Sequence, residues 1–99
     1  MDDKTTKPLN SKYTEKEYFK NRMIGNVVCF FGYVQITTAI SDSELFGDTQ
    51  RGTLSGIVSM VNINDGKSYP CGFDNGRLQA KNNIPTGYYY VSGVGIKII

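Results

Sequence analysis

The 99-residue chain contains no histidine and no tryptophan, and only two cysteines and three prolines. Without histidine the commonest general base is missing, and with it the Ser-His-Asp and Cys-His nucleophile systems and most catalytic zinc sites. Two cysteines alone make a poor structural zinc set, because a closed site takes four Cys or His ligands. Cys29 and Cys71 could pair, but spacing does not show that their Cβ atoms approach. The plain reading is two thiols half buried in strands.

Long apolar runs are missing as well. No stretch approaches the roughly 20 apolar residues of a membrane span, and the polar N-terminus lacks a signal-peptide core. The expectation is a soluble chain with no export signal and no membrane insertion. Eleven basic and nine acidic side chains leave a net charge of +2, and the surplus lies in the first 22 residues. Beyond them Arg51, Lys67, Arg77, Lys81 and Lys97 are scattered among as many carboxylates. A clustered basic face is therefore absent, and nucleic acid is not an expected partner.

Catalysis would have to rest on a carboxylate pair, as in glycoside hydrolysis, drawn from Asp42, Glu44, Asp48, Asp65 and Asp74. All five fall in expected loops or turns, where turn formation and solubility account for them. Asp42, Glu44 and Asp48 crowd one loop as calcium ligands would, but SDSELFGD lacks EF-hand spacing. Gly93-Val94-Gly95 is not a phosphate loop, because no helix follows it. The chain is expected to be no enzyme and to hold no metal and no cofactor.

A chain this short makes one domain, because it buries only about two thirds of its unfolded surface. Residues 1–19 read as a polar leader or linker and residues 20–99 as the folded domain. Within the leader, residues 1 to about 12 have no apolar period. The stretch YTEKEYFKNRM that follows admits two readings. Thr14 and Glu17 have capping-box spacing and would open a short helix; an irregular or extended lead-in is favoured, because everything after it is β.

From Asn26 the period becomes two. Val28, Phe30, Gly32, Val34, Ile36 and Ile40 alternate with Cys29, Phe31, Tyr33, Gln35 and Thr37, the first set facing the core. TLSGIVSMVNI resumes a strand, Asp65-Gly66 gives a tight turn, and KSYPCGF is a short strand in which Pro70 suits an edge or a bulge. Asn75-Gly76 then turns into RLQAK, Asn-Gly being the strongest short hairpin signal. Short strands between regular turns predict an all-β fold: a small antiparallel β-sandwich, jelly-roll-like or barrel-like, with an irregular or short helical N-terminal lead-in.

The closing strand GYYYVSGVGIKII raises its own question, because neither of its alternating faces is polar. An antiparallel strand with one face in water does not look like this. Either it is the central strand of a two-layer core or its second face is covered by another subunit, and Gly93 and Gly95 would admit a close backbone or ring. The terminus is expected to be pinned inside a sheet near a subunit interface made by Tyr88, Val91, Gly93, Gly95 and Ile99. Oligomerisation is also the usual remedy for so small a core.

Seven tyrosines are the positive feature, since tyrosine supplies rigid amphipathic contact area suited to interfaces and to stacking on sugars. Ordinary strand packing is the competing account, and it is preferred for Tyr33, Tyr88 and Tyr90. Tyr69 and Tyr89 are expected to be exposed, and with Asp74, Asn75 and Arg77 they form the candidate ligand-binding set. Asn62, Asn64, Asp65, Asn82 and Asn83 could extend a hydrogen-bonding rim, although turn chemistry explains each of them more simply.

The segment order resembles the small β-sandwich at the C-terminal ends of tail-fibre, baseplate and receptor-binding proteins of phages and prophages infecting Gram-positive bacteria. The resemblance covers roughly residues 20 to 97. It rests on Lys20, Gly25, Asn26 and Val28 of the lead-in, Gly32, the Leu45-Phe46 element, and Asn75, Gly76 and Leu78 of a hairpin. Ile84, Pro85, Gly87, Tyr89, Val91, Ser92 and Gly93 match the closing strand. Two departures stand out: GDTQRG replaces a proline-rich bend after Leu45-Phe46, and Val94-Gly95 replaces an aromatic after the final Ser-Gly. The resemblance implies a non-enzymatic, homotrimeric adhesion tip that recognises host cell-wall or capsular saccharide, placed at the tail tip of a virion or in a prophage-encoded particle. Other tail or baseplate proteins are the further partners it implies. The alternatives are a structural virion or baseplate subunit making only protein contacts, and a detached carbohydrate-binding module.

Overall fold

A computed structural model describes residues 3–98. It contains nine strands, β1 (Asp3–Thr5), β2 (Lys7–Pro8), β3 (Tyr18–Ile24), β4 (Val27–Ile36), β5 (Leu45–Asp48), β6 (Leu54–Asn62), β7 (Ser68–Asp74), β8 (Arg77–Ala80) and β9 (Gly87–Lys97). Every pairing is antiparallel, in the order β1-β3-β4-β9-β6-β7-β8-β5-β2. No helix occurs among the described residues, and so none long and apolar enough to cross a membrane.

The all-β antiparallel expectation holds, and of the forms expected the barrel-like one is seen rather than a two-layer sandwich: one sheet curls until it nearly closes into a barrel. The two outermost strands, β1 and β2, are consecutive in the chain with only Thr6 between them. Residues 3–8 therefore span the seam, pairing with β3 on one side and β5 on the other. These residues lie in the stretch read as a leader. They escape an apolar-period reading because Asp-Lys-Thr-Thr-Lys-Pro carries no apolar alternation. The short helix considered near Thr14 is likewise absent; Glu17 N–H donates to the Thr14 carbonyl at 3.1 Å in a single turn.

Turn chemistry sets the hairpins. Asn75 and Gly76 both have positive φ, 56° and 80°, as a type I′ turn requires. The β6–β7 connection is longer than a two-residue turn, because the Asn62 carboxamide caps it by accepting from the Asn64 and Asp65 N–H groups. Pro70 sits in β7, which has neighbours on both sides, just beyond the β7–β8 ladder that starts at Cys71.

The barrel interior is filled by alternate residues: Val28, Phe30, Val34 and Ile36 of β4, Val58 and Met60 of β6, Leu78 and Ala80 of β8, with Tyr13 and Phe46. Both cysteines are free; Cys71 is buried in this core and Cys29 is partly covered on the opposite face of the sheet. In β9 it is Tyr89, Val91 and Gly95 that point inward. Gly93 shares that parity, and a Cβ there would stand 2.6 Å from the Ile57 carbonyl oxygen. The expected interface assignment of Val91, Gly93 and Gly95 is thereby corrected. At Gly95 the missing side chain leaves room for the Phe73 ring, which packs on Phe30, whereas at Gly93 it lets the β6 backbone at Ile57 and Val58 come close.

A polar cluster at one barrel end was not visible in the sequence. Asn21 and Arg51 are buried, and Arg51 Nε donates to the Asn21 carboxamide oxygen at 2.6 Å. The Asn21 amide in turn donates to Thr6 Oγ1 at 3.0 Å and to the Thr49 carbonyl at 3.1 Å.

Candidate interaction surface

Strand register builds the site. On the outer face of β3-β4-β9-β6, Tyr18 stands opposite Tyr33 and Tyr33 opposite Tyr90, so three tyrosines form a row across adjacent strands. Tyr88 joins them, with its ring 6.1 Å from that of Tyr33, and Phe31 lies at the same distance from Tyr18. Two residues further along the strands the row is Lys20, Phe31, Ser92 and Ser59; the next is Arg22, Cys29, Val94 and Ile57; the last is Ile24, Val27, Ile96 and Ser55. The face is aromatic at one end, small in the middle and aliphatic at the other end.

Tyr18, Tyr33, Tyr88 and Tyr90 are 59, 46, 40 and 47 % exposed, and Ile24, Ile57, Val94 and Ile96 are similarly open. Eight large side chains half in water leave on the order of 100 Å² each. Together they reach or exceed the roughly 300–600 Å² of the largest apolar patch on an ordinary monomer. They are also comparable with the roughly 800 Å² that each partner contributes to a standard protein interface.

Charge on this face is confined to β3, and it is already engaged. Arg22 forms a two-point ion pair with Asp3, at 2.5 and 2.9 Å, and lies 5.6 Å from the Phe31 ring centre. The Arg22 hydrogen bond holds the Asp3 carboxyl below its usual value. Lys20 Nζ donates to Thr5 Oγ1 at 2.8 Å and lies 6.0 Å from the Tyr18 ring centre.

The structure reverses the expected roles of the tyrosines. Tyr33, Tyr88 and Tyr90, assigned to packing, are open, whereas Tyr89 is fully buried. Its hydroxyl donates to the Pro85 carbonyl at 2.6 Å, and burial pushes its phenol upward in pKa. Tyr69 is partly covered and meets Tyr89 edge-on at 5.8 Å. Asp74, Asn75 and Arg77 lie at the β7–β8 turn, five residues along β7 from Tyr69, which is about 17 Å of extended strand. The candidate ligand-binding set is thus split between the two ends of the barrel. Of the expected interface residues only Tyr88 is on the outer face; Ile99 lies outside the described residues.

The remaining polar candidates serve the backbone. Asn83 accepts from the Asp42 N–H, Asp65 from the Lys67 N–H and Asp48 from the Gln50 N–H. The Glu44 carboxylate accepts from the Ser41 N–H and the Asn10 amide and lies 3.4 Å from Lys12 Nζ. Among the described residues there is no metal-ligating cluster of three and no pocket.

The signal that could have found the outer face was the parity of β4. Its core set was legible, so Tyr33 had to point outward, and any tyrosine opposite it on a neighbouring strand had to share that face. Which tyrosine of β9 that is depends on register, which sequence pattern does not supply when both faces of a strand are apolar. Comparison with protein-family models, curated proteins and solved structures found no match.

Proposed function

We propose that the chain is a non-enzymatic module of a phage-type tail tip or baseplate, and that its working surface is the outer face of β3-β4-β9-β6. One observation carries the reading: an apolar face with the extent of a protein interface, whose charges among the described residues are engaged within the chain. Its first partner is another copy of the chain, and the sequence resemblance makes a trimer the expected number. Other tail proteins are the next partners by the same chemistry. The mix of tyrosine and aliphatic side chains around Ser92 and Ser59 suits sheet packing, in which rings seat beside small residues.

Light scattering over a range of concentrations tests this, with Tyr90→Glu and Val94→Asp beside the parent chain. Both positions are exposed, so the variants are expected to fold. A mass above the monomer that both variants reduce is the expected result. A monomer at every concentration, indifferent to both changes, would overturn it.

A second reading is favoured by the Tyr18–Tyr33–Tyr90 row, whose open rings could stack on saccharide of a host cell wall or capsule. Here Tyr33→Ala abolishes glycan-array binding while leaving the mass unchanged. Glycan binding untouched by Tyr33→Ala would rule out that row as the saccharide site.

A further inference from the structure

The strap that closes the barrel contributes nothing to its apolar core. Residues 3–8 place no side chain in the core cluster, yet Thr6 is fully buried. Polar contacts hold the strap down. Thr6 N–H donates to the Phe19 carbonyl at 2.8 Å, Tyr13 hydroxyl to the Thr6 carbonyl at 2.8 Å, Asn21 to Thr6 Oγ1 at 3.0 Å and Gln50 Nε2 to the Thr5 carbonyl at 2.7 Å. Beneath it lie the edges of β3 and β5, which would present unpaired N–H and C=O groups if the strap lifted. Such an edge accepts any strand that pairs with it, and the best-fitting strand is the same one from another chain.

The segment that joins the strap to the body adds an independent observation. Leu9, Asn10 and Ser11 are exposed, and Ser11 is held at φ +57°, a left-handed conformation that disfavours any side chain with a Cβ. A short hinge under strain invites strand exchange, because opening relieves the strain while the second chain restores the contacts of residues 3–8. What is given up is the hinge's own bonding, chiefly Leu9 N–H to the Phe46 carbonyl and Asn10 to Glu44 and the Leu45 carbonyl.

We infer that residues 3–8 exchange between copies: the seam between β3 and β5 of one chain accepts residues 3–8 of a second, with Leu9–Lys12 opening into an extended hinge. Four extended residues reach about 13 Å, so the two barrels sit with their seams adjacent. The strap touches the outer face through the Asp3–Arg22 and Thr5–Lys20 contacts, but exchange rests on seam pairing and not on association through that face, so this inference goes beyond the proposed function and does not depend on it.

Thr5 and Lys20 stand opposite each other in the β1–β3 register, which supplies the test. One chain carries Thr5→Cys and a size-tagged second chain carries Lys20→Cys, each with Cys29→Ser; they are mixed, concentrated and oxidised under native conditions. The expected product on a non-reducing gel is the mixed dimer, joined by a disulfide between the two introduced thiols, in excess over both like pairs. Its yield should fall about five- to tenfold with Ser11→Gly, because glycine removes the strain that opening relieves. A mixed dimer no more abundant than the like pairs, or a yield indifferent to Ser11→Gly, would overturn the inference. Tyr90→Glu, which breaks outer-face association, should leave the mixed dimer unchanged, so failure of the functional reading and failure of exchange are read separately.

Discussion

Gly95 of β9 lies against the ring of Phe73 of β7, where a Cβ would stand 3.1 Å from Phe73 Cζ and 3.4 Å from Leu54 Cβ. Phe73 is tilted on Phe30 at 5.5 Å, so the missing side chain makes room for two rings across the barrel. Gly95→Ala should cost about 1–3 kcal/mol by overpacking. Gly95→Glu buries a carboxylate and should unfold the chain rather than release folded subunits. Urea melts with light scattering decide this; a folded Gly95→Glu monomer would contradict the inward placement.

Asn21 bonds through both ends of its carboxamide, to Arg51 on one side and to Thr6 and Thr49 on the other. Asn21→Leu removes all three of these buried hydrogen bonds and should destabilise the barrel by about 3 kcal/mol. Because Thr6 belongs to the strap, hydrogen exchange of the Thr6 amide should speed up more than that of the core strand β6. Equal acceleration everywhere would argue against a local role.

Gly32 keeps β3 and β4 close. It has φ +133°, and a Cβ would fall 1.8 Å from the Tyr18 carbonyl oxygen. Gly32→Ala should cost at least about 2 kcal/mol through backbone strain and displacement of Tyr18. Loss of amide protection at Phe31 and Tyr33, with β6 still protected, is the expected exchange pattern.

Burial pushes the Cys71 thiol up to about 12 from an ordinary 9.0. The unfolded chain therefore loses this proton first as pH rises, and the folded state binds more protons between the two values. Stability from this group is complete below pH 9 and falls by up to about 1.4 kcal/mol per pH unit until the folded pKa is reached. Burial raises the Tyr13 phenol as well, in the same direction. Denaturant midpoints at about pH 7, 9 and 10.5 should fall steeply for the parent and less steeply for Cys71→Ala, and parallel slopes would show that the thiol is not the cause.

Much of the framework was legible along the chain. The alternation of Val28, Phe30, Val34 and Ile36 marks one face of β4, and Asn75-Gly76 marks a tight hairpin, because each reports local geometry that the backbone must satisfy. Two apolar faces marked β9 as either a central strand or one covered by another subunit, and the structure places it between β4 and β6. What that pattern could not reveal was which face is inside. With tyrosines on both, the choice fell to the fit of Gly95 beside Phe73 and of Gly93 against the β6 backbone, and Val91, Gly93 and Gly95 of the candidate interface were assigned to the wrong parity.

By itself the sequence determined an antiparallel all-β chain, its main turns and the core side of β4, because periodicity and turn residues act over a few positions. Tertiary structure alone decided that residues 3–8 close the seam, that Arg51 and Asn21 share a buried cluster, and that four tyrosines open outward while Tyr89 is enclosed. Those outcomes depend on register and on contacts between residues tens of positions apart, where a polar strand gains its place from hydrogen bonds that no local pattern encodes.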